Sequence, residues 1–167
     1  MPAYNFVKLE NTDLQRVLAF LPESERNNVR GVYYAQMDQN GMLCGVVGVR
    51  RRAWHETEIR HLFVAETYRR QGMAKALVKR AFLGARGMRV VATVLSNNEP
   101  SVRAFLANRF ECIDVFLNPN TQNTVMVLRR LKRSAVVPVQ NPVVITESAQ
   151  PSAPRPNDRG TVNNAVH

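Results

Sequence analysis

The chain has 167 residues, 45% of them hydrophobic, and a formal net charge of +10, enough for one good core and too few for two independent ones. Its apolar runs stop well short of the roughly 20 residues a membrane span needs. The opening MPAYNFVKLENTD also lacks a basic stretch followed by an apolar core, so a soluble cytoplasmic domain with no membrane partner is expected.

Residues 1–133 carry 21 Lys/Arg against 11 Asp/Glu, and residues 134–167 carry two of each, so the whole excess lies in the part expected to fold. Such a balance favours phosphorylated ligands, nucleic acid or acidic proteins without choosing among them. Cys44 and Cys112 stand in apolar, strand-like runs with no metal-ligand spacing, which predicts buried reduced thiols and no metal site.

In chain order, YNFVKLE alternates as a short strand. Asn11, Thr12 or Asp13 can then cap a helix whose Leu14, Val17, Leu18 and Leu21 recur at i, i+3, i+4 and i+7, with Pro22 at its end. VYYAQMD and MLCGVVGVR read as strands joined across Gln39-Asn40-Gly41, where Asn-Gly is the hairpin signal. Thr57 to Ala65 is the next strand. A helix follows, with Ala74, Leu77, Val78, Ala81 and Phe82 on its apolar stripe and Lys75, Lys79, Arg80 and Arg86 elsewhere around it. MRVVATVL reads as a buried strand. Asn97 or Asn98 can cap a helix with Pro100 in its first turn and Val102, Phe105 and Leu106 facing inward; ECIDVFL and TVMVLRRL are the last two strands. From residue 134 the chain is rich in proline and loses periodicity after Thr146, so residues 1–133 are expected to form the domain and 134–167 a disordered tail.

This order predicts an α/β protein, a single mixed sheet flanked by helices with a strand-helix-strand unit at its centre. In that unit RRQGMAKAL puts a basic, glycine-bearing turn between a strand and a helix. A helix N-terminus offers unpaired N–H groups and the positive end of a dipole. Gly72 lets backbone approach a ligand closely, and Arg69, Arg70 and Lys75 add charge, which together make a seat for a pyrophosphate. An ordinary strand-to-helix corner with charge on its solvent face would read the same way.

The stretch LFVAETYRRQGMAKALVKRAF resembles the acyl-CoA-binding motif of the GNAT superfamily of N-acetyltransferases, a strand ending L-x-V, a turn, then [R/Q]-x-x-G-x-[G/A] opening a helix. Leu62, Val64, Arg69, Gly72 and Ala74 match it. SNNEPSVRAFLANRFECI resembles that family's next strand end and helix, with Asn98 and Phe110 in register and Ser101 replacing a small Ala. The resemblance covers about residues 3–131. It implies the acyl-CoA N-acyltransferase fold, a sheet of about six or seven strands, and acetyl-CoA or another acyl-CoA as cofactor. It also implies direct acyl transfer to an amine in a ternary complex. The cofactor would be held by Leu62, Phe63 and Val64 of the strand, by the turn and helix start from Arg69 through Arg70, Gln71, Gly72, Met73 and Ala74 to Lys75, and by Asn98 and Phe105. The thioester oxygen would be polarised by a backbone N–H at or beside Val64.

For the proton of the incoming amine, the resemblance points to Glu58, in a T-E-I run as in the family's histone-modifying branch. Glu58 lies six residues before Val64, which strict alternation puts on the same strand face. A strand-edge glutamate paired with an arginine is the competing reading. His61 is the second candidate, placed by alternation on the face opposite Glu58, with a packed or exposed histidine as the competing reading. Where the family has a tyrosine acid near the sulfur, this chain has Phe105, which cannot protonate a thiolate. Arg109 replaces the glycine that ends the second helix, a place Asn108 can take because asparagine tolerates the left-handed conformation. Glu66 replaces a common proline in the turn and would sit badly near a pyrophosphate unless it points away or pairs with Arg69.

Arg50-Arg51-Arg52 with Trp54 and His55 reads as a solvated loop, or as a contact for an anionic or nucleic-acid acceptor. Aromatic residues are otherwise too sparse for a nucleic-acid-binding domain. The sequence does not identify the amine acceptor, for which an anionic molecule and a protein are both open. Two further readings stand beside the enzyme: a weakened fold of this kind that grips a partner protein, and modification of an amine attached to nucleic acid.

Overall fold

The computed structural model describes residues 4–133, so the expected tail lies outside the described residues. The elements are β1 (Asn5–Leu9), α1 (Leu14–Phe20), β2 (Val32–Met37), β3 (Leu43–Arg51), β4 (Glu56–Val64), α2 (Met73–Gly84), β5 (Arg89–Leu95), α3 (Glu99–Leu106), β6 (Glu111–Leu117) and β7 (Thr124–Leu131). They form one mixed seven-stranded sheet in the order β1-β2-β3-β4-β5-β7-β6. Neighbours are antiparallel except β4 and β5, which run parallel and are linked by α2.

The hairpin between β2 and β3 turns where Asn-Gly stands. Asp38 Oδ1 accepts the N–H groups of Asn40 and Met42, and Gly41 takes a φ of 75° that few side chains tolerate. Asp13 occupies the N-cap of α1 without a side-chain bond, whereas Asn98 caps α3 by accepting from Ser101 N at 3.3 Å, with Pro100 in the first turn.

Each sheet face has its own core. Leu77, Val78, Ala81 and Phe82 of α2 and Ala104 and Phe105 of α3 pack on Ile59, Val90, Ala92 and Leu128. On the opposite face Val17 and Leu21 close over Leu9, Tyr33, Ala35 and Val46. Alternation along each strand supplies both sets at once, which is why a sheet covered on both sides reads as near-continuous apolar runs at its centre.

Three expectations are corrected. Leu106 is 47% exposed, because α3 buries the stripe through Ala104 and Phe105 instead. Cys112 is exposed, since β6 is the sheet's edge and none of its residues is covered, while Cys44 is buried as expected. The left-handed residue after α3 is Arg109, at φ 61°, and not Asn108. Asn108 is committed elsewhere: its buried amide donates to Lys75 O at 2.9 Å and to Ala104 O at 2.8 Å, tying α3 to α2. No described helix is long and apolar enough to cross a membrane, and no cluster of potential metal ligands occurs among the described residues.

Candidate functional site

The parallel pair at the centre of the sheet is short. β4 and β5 are in register only at Glu56–Arg89, Thr57–Val90 and Glu58–Val91, after which they no longer pair with each other and part. The gap widens into a cleft of about 840 Å³ between the N-termini of α2 and α3. One wall is Leu62, Phe63 and Val64 with the turn through Arg69, Arg70 and Gly72. Met73, Ala74 and Lys75 open α2 above it. Asn98, Ser101, Arg103, Ala104 and Ala107 make the α3 side.

Gly72 is the N-cap of α2 at φ 77°, with no side-chain cap, and a Cβ built on it would meet nothing within 4 Å. The first N–H groups of α2 are therefore uncapped at the cleft, and the positive end of the helix dipole lies there with Arg69, Arg70 and Lys75 around it. Arg70 shares the left-handed conformation, at φ 62°. Arg69 Nε donates to Val64 O at 3.1 Å, and its guanidinium lies 6.0 Å from the Phe63 ring. Glu66 is exposed, makes no ion pair with Arg69 and is not among the residues that line the cleft.

β4 carries an irregularity that no local pattern announces. Val46 pairs with Phe63 and Gly48 with Arg60, so β4 has one more residue than β3 across that step, and His61 within it takes φ 49°. Such a bulge reverses the facing of everything beyond it. Thr57 and Ile59 point to the α2 side before it, and Leu62 and Val64 do so after it. Glu58 and Val64 thus lie on opposite faces, and His61 lies on the face of Glu58. Both placements correct the alternation argument. The N–H of Ala65 bonds Cys44 O on β3, while Val64 O accepts from Arg69 on the other edge. Backbone alternation therefore turns the N–H of Val64 into the gap.

Glu58 stands on the last paired rung, with Arg50 across from it on β3 and Val91 on β5. It is half-buried and its carboxylate has no hydrogen-bond or ion-pair partner among the described residues, so the competing reading, a pairing with an arginine, is absent. His61 is held. Its Nδ1 is 2.5 Å from Tyr33 Oη, its ring stacks on that of Tyr33, and Arg60 Nη2 donates to its Nε2 at 3.1 Å. Burial, reinforced by the Arg60 charge, lowers the His61 pKa to about 4. Burial raises Tyr33 to about 12.

The sign of that shift gives a test. An unfolded imidazole takes its proton near pH 6.5 and the folded one only near 4, so the unfolded state binds more protons between those values. Stability is expected to be level above pH 6.5 and to fall as pH drops towards 4. His61→Gln should flatten that window, read as a smaller loss of urea midpoint between pH 7 and pH 5 than the parent shows.

Phe105 is 2% exposed, with its ring edge-on to Phe110 at 5.1 Å, and does not line the cleft. Gln71 also faces elsewhere, accepting the Tyr4 hydroxyl at 2.7 Å. The remaining residues expected around the cofactor do line the cleft. Tyr68 lines it too, and nothing in the sequence marked it beyond its place in the turn. Its hydroxyl donates to Asp38 Oδ2 at 3.2 Å, and the nearby Cys44 thiol, then Asp38, push its pKa up to about 12.

The profile of the acetyltransferase (GNAT) family matches residues 4–109. The chain belongs to that family. Among curated proteins none matches the sequence. Among solved structures, the chain is similar to a GNAT-family acetyltransferase of Bacillus cereus at TM-score 0.65 and 18% identity, covering 79% of this chain and 99% of that one. It is also similar to Arabidopsis thaliana NAA60 in complex with acetyl-CoA, at TM-score 0.61 and 19% identity over 78% and 100%. The spermidine/spermine N-acetyltransferase SpeG of Vibrio cholerae follows at 0.58 and 15%, over 77% and 92%. At these identities the likeness is one of fold. The matched stretch includes the glycine turn at the head of α2 and the strands on either side of it.

Proposed function

We propose that this GNAT protein transfers an acetyl group from acetyl-CoA to an amine by direct attack within a ternary complex. The observation that carries the reading is the uncapped start of α2 at Gly72, facing a cleft between two parted strands. The residues there fit the cofactor: main-chain donors and Arg69, Arg70 and Lys75 suit a pyrophosphate, and the apolar Leu62, Val64 and Ala104 suit a pantetheine arm. Bound there, acetyl-CoA supplies an activated thioester.

The chain's own groups do the rest. The N–H of Val64, turned into the gap and fixed by the β3 ladder, is a preorganised donor for oxygen charge that develops during transfer, an effect that reaches several kcal/mol. Glu58 takes the proton of an amine that arrives from the face opposite α2. An amine of pKa ~10 is mostly protonated at neutral pH, so a free carboxylate at the end of the paired rungs is suited to the task. His61, engaged on both ring nitrogens, orders this part of β4 and does not compete for that role. Phe105 provides no proton for the departing thiolate, which takes its proton from solvent, a thiolate being a fair leaving group.

Release of free CoA thiol, followed while polyamines, peptide N-termini, aminoglycosides and small amines are offered in turn, tests the proposal. At least one acceptor should raise the rate above hydrolysis. Tight binding of both acetyl-CoA and desulfo-CoA with no acceptor raising it would overturn the enzyme in favour of a binding protein.

A further inference from the structure

The sheet has a second charged end, remote from the cleft. Strand register gathers there basic residues that the sequence scatters over more than eighty positions. The β3–β4 connection meets the start of β5, where Arg89 N–H bonds His55 O at 2.9 Å. The start of β5 meets the end of β7, where Lys132 N–H bonds Met88 O at 2.7 Å. Gly87 fits between them because a Cβ there would lie 2.7 Å from the His55 backbone. The end of β7 meets the start of β6 through the Arg129–Glu111 pair. These junctions form one ledge across five strands, roughly 19 Å at ~4.8 Å per interstrand gap.

Arg51 and Arg52 reach this ledge at the end of β3, Arg86 from the α2–β5 turn, Arg89 as the first residue of β5, Arg109 from just before β6, Arg129 from β7 and Arg133 from just after it. Glu56 is shared between Arg89 at 3.2 Å and Arg52 at 4.0 Å, and Glu111 makes no ion pair among the described residues. Arg130 and Lys132 are occupied: Arg130 lies 3.8 Å over the Phe82 ring and donates to Asn108 O, and Lys132 donates to Leu83 O and Ala85 O. Arg86, Arg109, Arg129 and Arg133 have no side-chain partner among the described residues. The last three border a recess of about 390 Å³ floored by Phe82.

Two observations say what the ledge takes. Trp54 is the chain's sole tryptophan and stands 77% exposed at one end, its ring contact with His55 edge-on at 68° and not a stack. Arg109 holds φ 61°, where glycine would sit without strain, so a guanidinium is kept at a backbone position that disfavours it. We infer that this ledge binds single-stranded nucleic acid, its phosphates on the unpaired arginines and a base on Trp54. Guanidinium forks match phosphate oxygens in pairs, and an open indole stacks on any base. An acidic protein would meet the charges but leave the indole without a purpose. This surface and the cleft are separate, and the inference does not depend on acetyl transfer.

The test uses the full chain and a labelled single-stranded oligonucleotide of about 12 residues, within the usual site size. Anisotropy should rise on binding and Trp54 fluorescence should be quenched. With four phosphates engaged, log K should fall against log salt with a slope of about −3, at roughly −0.7 per phosphate. The double variant Arg109→Gly with Arg133→Gln should flatten that slope by about 1.4 and weaken binding at low salt. Its melting temperature should hold, because glycine relieves the left-handed position. Trp54→Leu should weaken binding and leave the slope unchanged. Absence of binding at low salt, a slope unmoved in the double variant, or polyglutamate binding as tightly as the oligonucleotide would each overturn the inference.

Discussion

Gly72→Glu is expected to abolish acetyl-CoA binding and to leave the protein folded. The two halves of that statement rest on different measurements of the same residue. A Cβ at Gly72 meets nothing within 4 Å, so no neighbour has to move, and the left-handed φ of 77° costs a side-chain-bearing residue only about 1–2 kcal/mol. The new carboxylate would stand at the uncapped head of α2, where the reading places a pyrophosphate. Two like charges about 4 Å apart near a protein surface repel by roughly 4 kcal/mol, more than a hundredfold in Kd. Gly72→Ala separates charge from conformation, since it carries the backbone penalty of about 1–2 kcal/mol without the anion and should lose at most about 30-fold. Calorimetric titration of both variants decides the matter. If Gly72→Glu binds acetyl-CoA as the parent does, the phosphate seat is elsewhere.

Glu58→Gln carries the second large effect. Removing a general base from a positioned carboxylate usually lowers turnover by about 100-fold or more, and the amide keeps the shape and most of the polarity. Because Glu58 does not line the cleft, acetyl-CoA affinity should stay as it is, and the loss should appear in kcat. The measurement is the rate of thiol release with the best acceptor at saturating acetyl-CoA. An unchanged rate would mean that solvent takes the proton and that Glu58 is only a strand residue beside Arg50.

The sequence made most of the elements legible, since their signals are local. Asn40-Gly41 set a hairpin, Asn98 and Pro100 started α3, and the spacing of Leu77, Val78, Ala81 and Phe82 turned one face of α2 inward. The failures share a cause of the opposite kind. The extra residue of β4 exists only relative to β3, in the step from Val46 to Gly48, so counting along β4 put Glu58 on the wrong face. Local sequence shows the backbone tolerance of Asn108, yet its side chain is claimed by Lys75 O, a carbonyl on another helix. Phe105 matched a family position, but its packing against Phe110 takes it away from the cleft. The arginine ledge is likewise a product of strand order: β7 lies between β5 and β6, and that insertion brings Arg129 and Arg133 to a rim shared with Arg89.

The short parallel pairing has a consequence for how the sheet opens. β5 is laddered to β7 along its whole length, but to β4 only as far as Glu58–Val91. The sheet is in effect two plates hinged along one edge, held above the hinge by α2 against α3 and by the amide of Asn108. β4 therefore carries two kinds of amide along one strand. The N–H of Ala65 is locked to Cys44 O, whereas that of Val64 looks into the gap, so adjacent amides should exchange with deuterium at very different rates. A ligand seated between the plates takes the place of the missing ladder. A ligand that binds only the folded chain then raises stability with its concentration, and the amides that face the gap gain the most protection from exchange.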